Sequence, residues 1–237
     1  MKKFHNADSP VVSVVIPVAN ERKTIAAVIR EAFRVHPQTE VIVVANGSTD
    51  GSGQIARRLG ARVAAFRSRL GHDVGRSVGA KLARGRVVLF TDGDIVIPSA
   101  DLSVLAQAVE NGTDVALNRY SGMTNTYDVH SVVLAKHAFN IALSAEHLAG
   151  ASLTAIPHAL SRAALEKIGP DQLAVPPLAM AIALREGLRV KAVHPINVGK
   201  RNPIRRRKNG RDPLERIIVG DHLEAIGWYC GVTDARA

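Results

Sequence analysis

"VVLFTDGDIVIP", residues 87–98, admits two folds. An Asp-Gly pair between apolar runs is a strong signal for a β-hairpin turn, which would make the surrounding sheet antiparallel. Alternatively, 86–91 is a buried strand of a parallel sheet that ends in the polar Asp92-Gly93-Asp94. Two features favour the strand end. Pro98 and the helix-opening Ser99-Ala100-Asp101 leave only three or four residues for a returning strand. In an extended chain, Asp92 and Asp94 also project to the same side. Adjacent like charges disfavour each other unless a cation lies between them. Hard oxygen ligands of this kind suit Mg²⁺ or Mn²⁺, completed by phosphate oxygens and water.

The flanking sequence agrees with a parallel sheet. "VVSVVIP" (11–17) and "EVIVVA" (40–45) are β-branched apolar runs of strand length. Between them Ile25, Val28, Ile29, Ala32 and Phe33 recur at helical spacing, with Asn20 as the expected N-cap. Further helices are expected near 52–60, 73–84 and 99–111, and strands near 62–66 and 114–118. The second half reads as helices over 130–147, 161–169 and from Pro176 to near Gly187, then the strand "LRVKAV" and a last helix over 214–227. Strands alternating with helices predict an α/β fold, a mainly parallel sheet flanked by helices on both faces. Ligands in such sheets sit at the carboxyl ends of the strands. Three such ends are polar here: 17–21, 46–50 and 91–94.

The chain has 237 residues, enough for one substantial core. With 46% apolar and 22% charged residues it is a globular composition, not a disordered one. A single cysteine, Cys230, excludes an intramolecular disulfide framework and a Cys-rich zinc site. No stretch of about 18 apolar residues occurs, and Ser13 and Pro17 interrupt the run that follows Lys2 and Lys3. The expected location is therefore cytoplasmic, with peripheral contact at the inner membrane face as an extension.

The formal charge of +10 is concentrated in one place. "KRNPIRRRKNGR" (200–211) has seven basic residues and no acidic one. That points to a local anionic partner, either a diphosphate or an anionic membrane surface. Nucleic acid is disfavoured, because none of the nine aromatic residues lies in the run to stack on bases. Residues 197–212 read as a loop, which divides the chain into a single domain (1–199) and a basic loop with a C-terminal helix (200–237).

The motifs acquire more meaning together. "VSVVIPVANE", "VIVVANGSTDG", "GHDVGRSVGAKLARG" and "VVLFTDGDIVIP" occur in the order and approximate spacing seen in family 2 glycosyltransferases of the GT-A fold. The chain resembles that family closely over 11–115 and loosely over 150–195. The resemblance implies a metal-dependent, inverting transfer of a sugar from a nucleoside-diphosphate sugar. It implies a UDP-sugar donor, with GDP- and dTDP-sugars as alternatives, and Mg²⁺ or Mn²⁺ as cofactor. Pro17, Ala19, Asn20 and Glu21, together with Asn46, Ser48 and Asp50, would line the nucleotide. Arg76 would reach the base or diphosphate, and Gly93 is the small spacer of the D-x-D pair. Asp94 would be the direct metal ligand, Asp92 would lie nearer the ribose, and His194 would be an additional ligand.

Two departures stand out. Ala45-Asn46 replaces the family's two acidic residues, so an amide that both donates and accepts stands where a carboxylate only accepts. "AVPPLAMAIALREG" (174–187) lacks the Glu-Asp pair that supplies the acceptor's base. Asp171 is the nearest carboxylate and the expected catalytic partner of Asp94, with Glu146 and His158 as alternatives. An anionic acceptor such as a phosphate needs no strong base, which reconciles that gap with activity. Two other readings are a nucleotide-sugar-binding protein without turnover and a protein whose basic arm binds nucleic acid or membrane. Among enzymes, a nucleotidyltransferase on a related fold is the nearest rival.

Overall fold

The computed structural model describes residues 3–201 and 214–233, and the side chains of 3–199 and 214–231. Most of the basic run 200–211 and of the expected loop 197–212 therefore lies outside the described residues. Seven strands form one sheet: β1 (Val12–Val18), β2 (Thr39–Asn46), β3 (Arg62–Phe66), β4 (Val87–Phe90), β5 (Val115–Asn118), β6 (His158–Ser161) and β7 (Val190–His194). Their spatial order is β3-β2-β1-β4-β6-β5-β7. β6 pairs antiparallel with both β4 and β5, and the remaining pairings are parallel.

Helices cover both faces. α1 (Ile25–Ala32), α2 (Ser52–Leu59) and α4 (Ser99–Glu110) pack one face, where Ile16, Val43 and Leu89 meet Ile25, Leu59 and Leu105. On the other lie α3 (Val74–Leu82), α5 (Ser131–Ala142), α6 (Arg162–Ile168) and α7 (Pro176–Arg185). The one-turn α8 (Val198–Arg201) follows β7, and α9 (Glu215–Thr233) packs against α5 and α7. β1 and β2 are almost wholly buried, as expected of strands covered on both sides.

Three sequence expectations are corrected. Asn20 is not a helix cap: α1 begins after Thr24, and Asn20 sits at φ 68° as part of a loop. The helix expected over 130–147 ends at Ala142, because Asn140 turns its amide Nδ2 to the carbonyls of Ala149 and Ala151 and draws the chain back. β6 was not expected at all. It is only four residues long, and Ser161 at its end already caps α6, accepting from the Ala164 N–H at 3.1 Å.

The sheet's switch point lies between β1 and β4, from which β2 and β3 extend on one side and β6, β5 and β7 on the other. One close approach fixes what stands there. Gly75 and Gly79 lie a helical turn apart on the side of α3 that faces β1. A Cβ on Gly79 would fall 2.1 Å from Val15 Cγ1, and one on Gly75 would fall 3.1 Å from Pro17 Cβ. The absence of both side chains lets the α3 backbone lie directly on the strand. Gly79→Ala must push α3 off β1, and overpacking of this kind costs about 1–3 kcal/mol. Urea unfolding should show the midpoint fall with an unchanged slope; an unchanged midpoint contradicts the close-approach reading.

Candidate functional site

The carboxyl ends of β1, β2 and β4, closed on one side by the first turn of α3, form an open cleft. β1 and its following loop supply Pro17, Val18, Ala19 and Glu21, and β2 supplies Asn46. The loop into α3 contributes His72 and Asp73, α3 itself Arg76, and the end of β4 Asp92, Gly93 and Asp94.

The 87–98 stretch is a strand end and not a hairpin, since β4 leads through Asp92-Gly93-Asp94 into α4. The turn is clamped on β1. Gly93 N–H donates to the Pro17 carbonyl at 3.2 Å, and Thr24 Oγ1 donates to the Gly93 carbonyl at 2.7 Å. A Cβ on Gly93 would stand 2.9 Å from Val18 Cγ2, so a larger residue would force the turn outward.

Arg76 organises the cleft's charges. It is buried, with Nη1 2.8 Å from Asp73 Oδ1 and Nη2 3.4 Å from Asp92 Oδ1. Burial works against its charge, but Asp73 and then Asp92 outweigh that and hold the guanidinium protonated. Asp73 and His72 were not foreseen as site residues. The available signal was the i,i+3 spacing of Asp73 and Arg76 at a helix start.

Of the expected nucleotide contacts, Asn20, Ser48 and Asp50 tie together the loops behind the cleft, and Asn46 lines it. Asn20 Oδ1 accepts from the Thr49 and Asp50 N–H groups at 2.8 and 3.3 Å. Ser48 Oγ donates to the Val18 carbonyl at 3.1 Å and accepts from Asn20 N–H at 3.2 Å. Asp50 accepts from the Arg22 N–H at 2.8 Å and from the Ser52 N–H and hydroxyl. Desolvation opposes its ionisation more than any single partner favours it, but the hydrogen bonds together hold the carboxyl below its usual range. Asn46 uses both halves of its amide on the loop before α3. Nδ2 donates to the Gly71 carbonyl at 2.9 Å, and Oδ1 accepts from Leu70 N–H at 2.6 Å. An ionised carboxylate could make only the second bond.

Two expected residues lie outside the cleft. Asp171, in the short turn Pro170–Ala174, is an exposed partner of Lys81, which holds its carboxyl below the usual range. Lys81 stands five residues beyond Arg76 along α3, about 7.5 Å from it on the helix axis. His194 closes β7, separated from β4 by β6 and β5, and its Nε2 lies 3.0 Å from Asp101 Oδ1 on α4. Of the alternative bases, Glu146 is exposed and His158 is fully buried in β6. The C-terminal α9 does bring one further carboxylate into electrostatic reach of the cleft. Burial, then Asp73 and Glu224, push Asp221 up, while His72 opposes them.

The geometry can hold a divalent cation in one way. Among the described residues no group of three or more His, Cys, Asp or Glu side chains forms a metal cage. Asp92 and Asp94 nevertheless place two hard oxygen donors on one wall of the cleft. One or two carboxylates completed by substrate phosphates and water are a usual Mg²⁺ or Mn²⁺ arrangement.

Residues 13–169 match the family model described as "Glycosyl transferase family 2", which is more than half of the chain. The chain belongs to this family. It is 31% identical over 168 residues to the polyprenol monophosphomannose synthase of Mycolicibacterium smegmatis, covering 65% of this chain and 63% of that one. It is likewise 31% identical over 114 residues to an undecaprenyl-phosphate 4-deoxy-4-formamido-L-arabinose transferase of Edwardsiella ictaluri, covering 44% and 35%. The chain thus spans about a third to just under two thirds of these relatives' lengths. Among solved structures, glucosyl-3-phosphoglycerate synthase of Mycobacterium tuberculosis, crystallised with Mn²⁺, UDP-glucose and phosphoglyceric acid, superposes with a TM-score of 0.70. That match is 20% identical and covers 92% of this chain and 80% of the other, which establishes the GT-A fold.

Beneath the cleft, His158 stacks on Phe90 with centroids 5.1 Å apart. Burial first, and the positive Arg76 second, pull its imidazole down to about 3. Its folded pKa is depressed, so the unfolded chain binds the extra proton between roughly pH 6.5 and 3. The stabilising contribution is whole above that window and is lost as pH falls through it. By NMR the His158 ring should remain neutral at about pH 5; a midpoint near 6.5 would contradict the buried placement.

Proposed function

We propose that this chain transfers a sugar from a nucleoside diphosphate sugar, UDP-linked in preference to GDP- or dTDP-linked, to an acceptor that is already an anion. The observation that carries the reading is the pair Asp92 and Asp94 on one wall of a cleft at the sheet's switch point, with Arg76 buried against Asp92. The solved neighbour crystallised with Mn²⁺ and UDP-glucose supports the donor class. The relatives named for undecaprenyl-phosphate and polyprenol monophosphomannose support a phosphate acceptor.

In this reading Asp94 and Asp92 hold Mg²⁺ or Mn²⁺, which when bound offsets negative charge on the donor's diphosphate. The chain's own groups do the rest. Pro17, Val18 and Ala19 exclude water along one wall, and the Arg76 fork fixes the Asp92 carboxylate. The acceptor oxygen forms its bond to the anomeric carbon as the bond to the diphosphate breaks, and the nucleoside diphosphate leaves from the opposite face with inversion. A phosphate oxygen has no proton to lose, so α7 can open on Val175-Pro176 with no carboxylate in its first turn. In this reading residues 1–199 form the transferase domain, and the basic run 200–211 meets the acceptor's phosphate or an anionic membrane surface.

The same bare opening of α7 favours one other reading, a donor-binding protein without turnover. Calorimetry with UDP, GDP and dTDP, with and without Mn²⁺, tests the common part. UDP should bind in a Mn²⁺-dependent way, and Asp94→Ala should weaken it tenfold or more. If no nucleotide binds metal-dependently, both readings fail. With a UDP-sugar as donor, formation of a glycosylated polyprenyl phosphate together with free UDP separates transfer from binding alone.

A further inference from the structure

Outside 200–211 the chain's charges nearly balance, but not locally. Residues 51–72 hold five arginines, Arg57, Arg58, Arg62, Arg67 and Arg69, and no acidic residue. All five are exposed, and among the described residues none pairs with a carboxylate. They gather at the open edge of the sheet. β3 is an end strand, paired with β2 on one side and with no strand on the other among the described residues. Arg62 opens it and lies on the α3 face, where its Nη1 donates to the Leu82 carbonyl at 3.2 Å. Arg57 lies on α2, on the opposite face: a Cβ on Gly53 would stand 3.9 Å from both Arg57 Nη1 and Val63 Cγ1. Arg67 and Arg69 follow the strand's end.

The open edge also offers bare backbone groups. Phe66 turns its carbonyl to β2, accepting from Gly47 N–H at 3.1 Å. Alternation along the strand then turns the backbone groups of Val63 and Ala65 outward. Val63 is half-buried and Ala65 exposed, and neither has a backbone partner beyond the β2–β3 ladder among the described residues. Cations on an edge strand keep like-charged strands away, another copy of this chain included. The same charges select for a strand of opposite sign. Arginine suits that second role, because its planar, weakly hydrated fork matches a carboxylate.

We propose that β3 takes up an acidic, extended segment of a partner protein as an added strand. The outward backbone groups of Val63 and Ala65 continue the ladder into the segment. Successive side chains of that segment point to opposite faces, so neighbouring carboxylates meet Arg62 on one face and Arg57 on the other. Lipid phosphates would meet the arginines but leave the strand edge bare, whereas an acidic strand satisfies both. Nucleic acid is disfavoured, because Phe66 is the only Phe, Tyr or Trp of 51–72 on which a base could stack. From this edge the chain runs through Leu70 and Gly71, which Asn46 holds, into the donor cleft. The inference goes beyond sugar transfer and does not depend on it.

Fluorescence anisotropy of a labelled peptide of about nine residues, repeating Glu-Glu-Val, tests the proposal on the full chain. The wild type should bind it. The double variant Arg57→Glu/Arg62→Glu should bind roughly tenfold more weakly with an unchanged melting temperature, since both side chains are exposed. A copy of the peptide N-methylated throughout keeps its charges but cannot join a ladder, and should bind as weakly to the wild type. Asp94→Ala should bind the peptide as the wild type does, which separates this test from that of the donor site. Absence of wild-type binding, equal binding by the double variant, or equal binding of the methylated copy overturns the proposal. So do phosphatidylglycerol vesicles that bind the wild type and not the double variant, because the arginines would then serve a bilayer.

Discussion

The cleft depends on two missing side chains. With no Cβ at Gly75 or Gly79, α3 rests on β1 closely enough to bury the Arg76 guanidinium behind the end of β4. Once buried, that cation requires partners, and it takes Asp73 from its own helix turn and Asp92 from the neighbouring strand. A buried ion network adds little to stability when compared with a well-packed apolar alternative. Its effect here is positional. The planar guanidinium fixes Asp92, and Asp94, two residues on, shares the same cleft.

The opposite wall depends on loops tied to one another. Asn20, Ser48, Asp50, Arg22 and Ser52 exchange hydrogen bonds between the turns after β1 and β2, while Asn46 fastens the loop before α3. Each side chain satisfies backbone groups that would otherwise be bare at the strand ends. Asn20, Ser48 and Asp50 are therefore preorganising elements, and this side of the cleft is lined by Pro17, Val18, Ala19, Glu21, Asn46 and the His72–Asp73 pair.

The first half of the fold was legible because its strands are unbroken β-branched runs and its polar residues fall where those runs stop. The gathering of Glu21, Asp92, Gly93 and Asp94 at one edge of the sheet followed from that pattern, whereas Arg76, on α3, was implied only by the family resemblance. What the sequence withheld was strand order. His194 ends a strand much as Asp94 follows one, but β6 and β5 stand between them, and β6 is a four-residue insertion with no alternation to announce it. Asp171 is close to α3 in space yet turned to Lys81, a choice of partner that spacing does not encode. Asn46 had the right place, but its amide found backbone partners that a carboxylate could not have satisfied.

The central claim of the proposed function is that the donor completes a metal site for which, among the described residues, Asp92 and Asp94 supply the carboxylates. Electron paramagnetic resonance of Mn²⁺ titrated into the protein, with and without UDP, tests it directly. The account predicts weak Mn²⁺ binding alone and tight binding once UDP is present. Equally tight Mn²⁺ binding without nucleotide, or tight UDP binding without metal, would contradict it.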